Sequence, residues 1–248
     1  MKYVVAYVRA GLLMVHTGLH MAGLFIHSIL SRGDKVALGF KYRRLWGRRA
    51  YKLLGIKIIN EPSLYQGPPA LFISNHRTLT DPIVQVAFID SYIIAKSEVG
   101  HIPVVGKGAE MTGIIFVDRT SLKSRNGARL KTEDLLISGK SVLVYPEGTT
   151  TIERKSGRFK IGTFRVAAEH NIPVVPMAIE YRDSKDYWLN DSLTKQMIDQ
   201  VGPPSSYVKI RIGPPLQSDD ATTLLKMTQE WIDNSLAEMQ EGWSRVFV

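Results

Sequence analysis

From residue 70 onward, short apolar runs alternate with stretches of helical periodicity, and that alternation limits the fold more than any other feature. Residues 70–74, 91–95, 113–117, 141–145, 172–179 and 207–212 read as strands, being short, rich in branched or aromatic residues and bounded by Gly, Pro or polar residues. Between them, residues 82–88 open on a proline suited to a first helical turn, 126–137 read as a helix ended by Gly139, and 164–170 are helical. Residues 219–239 form a long helix, with Leu224, Met227, Trp231, Leu236 and Met239 near helical spacing. Strands alternating with helices predict an α/β layered domain: a mixed, largely parallel central sheet flanked by helices.

Ahead of this pattern lies a different kind of chain. Residues 10–30 form an uncharged run of 21 residues, close to the ~20 that a helix needs to cross a bilayer. The run is not purely apolar, because it holds His16, Thr17, His20, His27, Ser28 and three glycines. No small-x-small cleavage site closes it and Arg32 and Lys35 follow at once, which fits a cleaved signal peptide poorly. A transmembrane helix, a helical hairpin set in one leaflet and a buried core helix remain. Residues 41–57 then carry seven basic residues (Lys41, Arg43, Arg44, Arg48, Arg49, Lys52, Lys57) and no acid, with Tyr42, Leu45, Trp46, Tyr51, Leu53 and Leu54 between them. A basic helix with interleaved aromatics suits an anionic lipid surface. Nucleic acid can be gripped by the same pattern, but its place directly after an apolar run favours lipid.

The formal net charge of +9 favours an anionic partner, whether nucleic acid, an anionic membrane surface or a phosphorylated substrate, and does not choose between them. The chain has no cysteine, which removes disulfides, thiolate nucleophiles and cysteine-based metal sites together. No Gly-x-Ser-x-Gly elbow stands out either, so a covalent enzyme intermediate is not expected.

Four segments can carry chemistry. Asn75-His76-Arg77-Thr78-Leu79-Thr80-Asp81 follows the first strand, where working residues of α/β sheets gather. An imidazole at 76 can accept a proton from an attacking hydroxyl, and a carboxylate at 81 can fix its tautomer and stabilise the imidazolium. The alternative is a capping Asp81 beside Pro82 with His76 merely polar. The second segment runs from Gly113 through Phe116 to Arg119, and an arginine at a strand's end can bind a phosphate through two parallel hydrogen bonds. The third, Tyr145-Pro146-Glu147-Gly148-Thr149-Thr150, reads as a rigid turn that presents a carboxylate and N–H groups. The fourth, Ile172-Pro173-Val174-Val175-Pro176, has no catalytic side chain and reads as a wall of the site.

In this order, Asn-His-(four residues)-Asp, Gly-x-x-Phe-x-x-Arg, Pro-Glu-Gly-Thr and Ile-Pro-Val-Val-Pro resemble the glycerolipid acyltransferase family, which includes the bacterial 1-acylglycerol-3-phosphate acyltransferases. The likeness covers residues 70–179, with a lesser echo at Phe159-Lys160-x-Gly162. The resemblance implies His76 as general base and Asp81 as its orienting partner. It implies that Arg119, Glu147, Gly148 and Thr149 contact the acceptor, with Asn75, Gly113, Phe116, Pro146 and Lys160 in support. Acyl-CoA or acyl-carrier protein would be the donor and a lysolipid the acceptor, with no metal, prosthetic group or nucleic acid involved. The implied setting is the cytoplasmic face of the cell membrane. Residues 1–66 would form a membrane-associated helical segment and 67–248 the catalytic domain. One departure stands out: many phosphatidic-acid-forming members have arginine where this chain has Thr150, leaving Arg154, Lys155 and Arg158 as candidates to compensate.

Overall fold

A computed structural model of the chain describes residues 1–96, 111–117, 122–189 and 192–243. Two long helices come first, α1 (Lys2–Leu30) and α2 (Lys35–Leu53), joined by a short link and packed against each other. Asp34 caps α2, its carboxylate accepting from the Val36 N–H at 2.8 Å and satisfying one of the helix's unpaired donors. α1 is long and apolar enough to cross a membrane by length and composition, and little of its apolar window is buried. Val4, Val8, Leu12, Val15, Leu19, Phe25, Ile26 and Ile29 all stand exposed.

The remaining elements are β1 (Ile56–Ile59), β2 (Leu71–Ser74), α3 (Asp81–Gln85), β3 (Tyr92–Lys96), β4 (Ile114–Val117), α4 (Leu122–Ile137), β5 (Val142–Val144), α5 (Gly162–Glu169), β6 (Val174–Tyr181), α6 (Leu193–Val201), β7 (Ser206–Ile212) and α7 (Ala221–Gln240). The seven strands form one sheet in the order β1-β7-β6-β2-β5-β3-β4. Every neighbouring pair is parallel except β6 with β7, so β1 and β7 run against the other five. The expected mixed, largely parallel sheet is therefore what forms.

Alternation along the central strands explains the layering. Phe72, Val175, Met177 and Ile179 enter a core shared with Tyr51, Leu54, Val84 and Phe88, on the side of α2 and α3. Leu71, Ile73, Val174 and Ala178 enter the opposite core, with Phe164 of α5 and Leu224, Ile232 and Leu236 of α7. All eight residues of β6 are buried, as a strand covered on both faces requires.

Two elements depart from the sequence reading. The basic stretch at 41–57 is not one helix: α2 stops at Leu53, Gly55 turns the chain in the left-handed region at φ 77°, and Lys57 lies in β1. Nor are all its cations outward. Arg43 is buried and donates to the Thr112 carbonyl at 2.7 Å, and Arg44 pairs with Asp90. α6, capped by Ser192, was not expected at all. The break at Gln66-Gly67-Pro68-Pro69 falls in the loop between β1 and β2, so the sheet takes strands from both sides of it.

Candidate active site

His76 lies just past the C-terminal end of β2 and Asp81 opens α3. The strand's exit is pinned by Asn75, whose amide pairs with both backbone groups of Ile179 at 2.9 Å and so extends the β2–β6 ladder through a side chain. Asp81 is fully buried, and its Oδ2 accepts from the Arg77 N–H at 2.6 Å and the Thr78 N–H at 2.9 Å. The same oxygen lies 2.7 Å from Nδ1 of His76, whose side chain is 20% exposed. An ionised carboxylate only accepts, so Nδ1 carries the imidazole proton and Nε2 presents its lone pair. No residue among those described bonds to Nε2. Asp81 is the first residue of α3, whose N-cap is Thr80 without a side-chain cap bond, so the carboxylate serves the histidine and its loop and not as a helix cap.

The imidazole rests on the ring of Tyr145, with centroids 4.3 Å apart and planes 24° apart. Tyr145 is held by a relay: its hydroxyl donates to Gln85 Oε1 at 2.6 Å, and the Gln85 amide donates to the Ser74 hydroxyl at 2.6 Å. Burial and the nearby Asp81 charge push the Tyr145 hydroxyl well above its ordinary pKa, so it stays a protonated donor.

Glu147 is placed by the turn after β5, but not as an open acceptor-binding group. It is buried, and its two oxygens accept from the His76 N–H at 2.8 Å and the Gly157 N–H at 2.7 Å. It therefore clasps the histidine loop to the 147–157 loop; a Thr151 N–H bond to the His76 carbonyl at 2.8 Å reinforces the seam. Pro146 is buried, whereas Gly148 and Thr149 are exposed at the turn's tip. Gly148 suits its turn because its φ is 74°, and the Lys160 ammonium lies where a Cβ would be. Lys160 thus brings a cation against the Gly148 backbone.

Gly113 does not join this site. It precedes β4, at the sheet end opposite His76, with φ 82° and the Phe40 ring packed against it. Phe116 lies within β4, and Arg119 lies outside the described residues.

Sequence reasoning missed Arg77. Its guanidinium is fully buried and donates to the carbonyls of Thr151 at 2.8 Å, Glu153 at 2.6 Å and Arg154 at 3.3 Å, and to Glu180 Oε2 at 3.1 Å. Glu180 also accepts from the Tyr187 hydroxyl and the Gln240 amide. Arg77 thus anchors the loop that carries Arg154 and Lys155. The only sequence signal was its position inside the His-x4-Asp segment. No group of three or more His, Asp or Glu suited to a metal occurs among the described residues. The arrangement can take a proton from a hydroxyl at Nε2 and hold the resulting imidazolium against Asp81.

The family model described as Acyltransferase matches residues 55–180. A chloroplastic 1-acyl-sn-glycerol-3-phosphate acyltransferase of Brassica napus is 32% identical over 112 residues, covering 45% of this chain and 33% of that protein. A lyso-ornithine lipid O-acyltransferase of Brucella abortus is 31% identical over 156 residues, covering 59% of this chain and 58% of that one. The chain therefore spans between a third and three fifths of these curated relatives. The crystal structure of the 1-acyl-sn-glycerophosphate acyltransferase PlsC from Thermotoga maritima has the same fold, with a TM-score of 0.73 over 98% of this chain and 100% of that one at 19% identity.

Proposed function

Because the chain belongs to the Acyltransferase family, we propose that it transfers an acyl group from acyl-CoA or acyl-carrier protein to the free hydroxyl of 1-acylglycerol-3-phosphate, giving phosphatidic acid. The observation that carries this reading is the His76–Asp81 contact at 2.7 Å beneath a partly exposed imidazole. Nε2 takes the acceptor's hydroxyl proton as its oxygen attacks the thioester carbonyl. A C–O bond forms, the C–S bond breaks, and the leaving thiolate recovers the proton from the imidazolium. Asp81 holds that cation and the Nδ1–H tautomer. Lys160, against the exposed Gly148-Thr149 tip, gives the acceptor's phosphate a counter-charge. Arg119 is assigned the same task from its motif alone. The α1–α2 hairpin attaches the enzyme to the cytoplasmic face of the membrane, and the sheet body that follows carries the chemistry.

A second acceptor is favoured by one observation. Thr150 stands where many phosphatidic-acid-forming members carry arginine, and a hydroxyl cannot present a guanidinium fork to a phosphate. Lyso-ornithine lipid, named in the Brucella relative, is the alternative. Purified chain incubated with labelled acyl-CoA and a panel of lysolipids tests both readings. Ester formation with 1-acylglycerol-3-phosphate supports the first and ester formation with lyso-ornithine lipid alone the second. Fatty-acid release that ignores the acceptor would make the protein a thioester hydrolase and overturn both.

A further inference from the structure

A cleft between α1 and α2 is lined by His16, His20, His27, Lys41, Tyr42 and Arg49. Its chemistry is one-sided. Neither helix contains a single acid, and Asp34, in the link between them, is occupied as the α2 cap. Two cations, Lys41 and Arg49, therefore face one space beside three imidazoles, with no acid on either helix to pair them.

The imidazoles are ordered. His16 Nε2 lies 3.3 Å from the Trp46 carbonyl and His20 Nδ1 lies 3.1 Å from the His16 carbonyl. A carbonyl only accepts, so these nitrogens carry protons and the opposite ring nitrogens are left for another partner. The two rings lie with centroids 4.1 Å apart. His27 Nδ1 is 3.3 Å from the Tyr42 hydroxyl.

The cleft's surroundings decide its ligand. Leu19 and Leu45, both exposed, line the cleft itself among its polar groups. A soluble anion or a nucleic acid would leave that apolar surface in water, whereas a lipid covers it with acyl chains while its head group enters the cleft. A phosphomonoester can carry a P–OH that donates to those imidazole lone pairs while its other oxygens accept from Lys41, Tyr42 and Arg49, and a phosphodiester has no P–OH to give. We propose that this cleft is a binding site for the phosphomonoester head group of a membrane lipid, distinct from the acyl-transfer site. It does not require the acyl-transfer reading, because binding is measured without donor or turnover.

The test uses the full chain and phosphatidylcholine vesicles containing either phosphatidic acid or phosphatidylglycerol, matched for surface potential so that non-specific attraction is equal. The wild type should bind the phosphatidic acid vesicles roughly tenfold more tightly, the worth of one good charge-assisted contact. Lys41→Gln with Arg49→Gln, both exposed and outside the core, should erase that preference. Lys35→Gln with Arg48→Gln, which removes the same charge from exposed positions of α2, should weaken binding to both vesicles and keep the preference. No preference in the wild type, or equal loss in both double variants, would overturn the site. Binding to duplex DNA at the same salt with the same dependence on Lys41 and Arg49 would also overturn it.

Discussion

The α1–α2 hairpin and the sheet body are built on opposite electrostatic terms. Of the chain's 32 basic and 23 acidic residues, the first 54 positions hold ten and one, leaving 22 of each for everything after them. The whole charge of +9 thus belongs to the hairpin, and the body is neutral. The body also answers its buried charges internally, as Arg77 with Glu180 and Asp81 with His76 demonstrate. The hairpin instead leaves a row of valines, leucines and isoleucines exposed. A region that satisfies itself can be tuned for chemistry, while one that does not is completed by its surroundings. Activity and attachment should therefore be separable by mutation.

The sharpest way to break that comparison is at the His76–Asp81 pair, proposed above to carry the chemistry. His76→Ala should lower turnover by about 10²–10⁴-fold, the usual worth of a general base, with vesicle binding unchanged in a flotation assay. Asp81→Asn should slow turnover by a similar order through a misdirected imidazole. Loss of vesicle binding in step with activity would mean the two regions work as one.

Next in size is Arg77→Met. It leaves the buried Glu180 without its cation and frees the 151–154 loop from its anchor, and removing one partner of a buried pair costs about 3–5 kcal/mol. The hairpin control Arg48→Met, at an exposed position, should stay within about 0.5 kcal/mol. Urea midpoints of the two variants measure the contrast, and equal shifts would erase it.

The smallest effect is a pH dependence confined to the body. Burial pushes the Asp186 carboxyl from 3.8 up to about 7, with a Ser206 hydrogen bond opposing the shift. Between pH 4 and 7 the folded chain holds a proton that the unfolded chain has released, so this group's contribution to stability falls as pH rises through that window and is level above it. The fall should be roughly 2–4 kcal/mol, and Asp186→Asn should flatten it in urea titrations across pH. An unchanged slope in that variant would exclude Asp186 as its source.

The fold was legible where periodicity and burial agree. β2, β5 and β6 are apolar, short and bounded by Gly, Pro or polar residues, so their pattern and their structure coincide. β1 was hidden because Ile56-Lys57-Ile58-Ile59 follows a basic helix without a break in composition, and its identity as a strand comes from pairing with β7, some 150 positions away in sequence. α6 was hidden because residues 193–201 bury Gln196 and Gln200 beside Ile198, which weakens any apolar stripe. At the site, His76 and Asp81 were readable because motif spacing crosses a single turn. Glu147 was readable as important but not in its orientation: its partners are backbone N–H groups of His76 and Gly157, which no side-chain pattern encodes. Arg77 was invisible for the same reason, since three of its four acceptors are carbonyls.

One small feature has a mechanical consequence. Gly47 of α2 sits so close to α3 that a Cβ would lie 2.9 Å from a Val86 methyl and 3.2 Å from the Ile83 carbonyl. α3 begins with Asp81, so the hairpin is seated almost backbone to backbone on the helix that steers the imidazole. A seat with no side chain in it has no play. However the hairpin is placed, the His76 ring keeps a fixed height above it, like a stylus on a rigid arm.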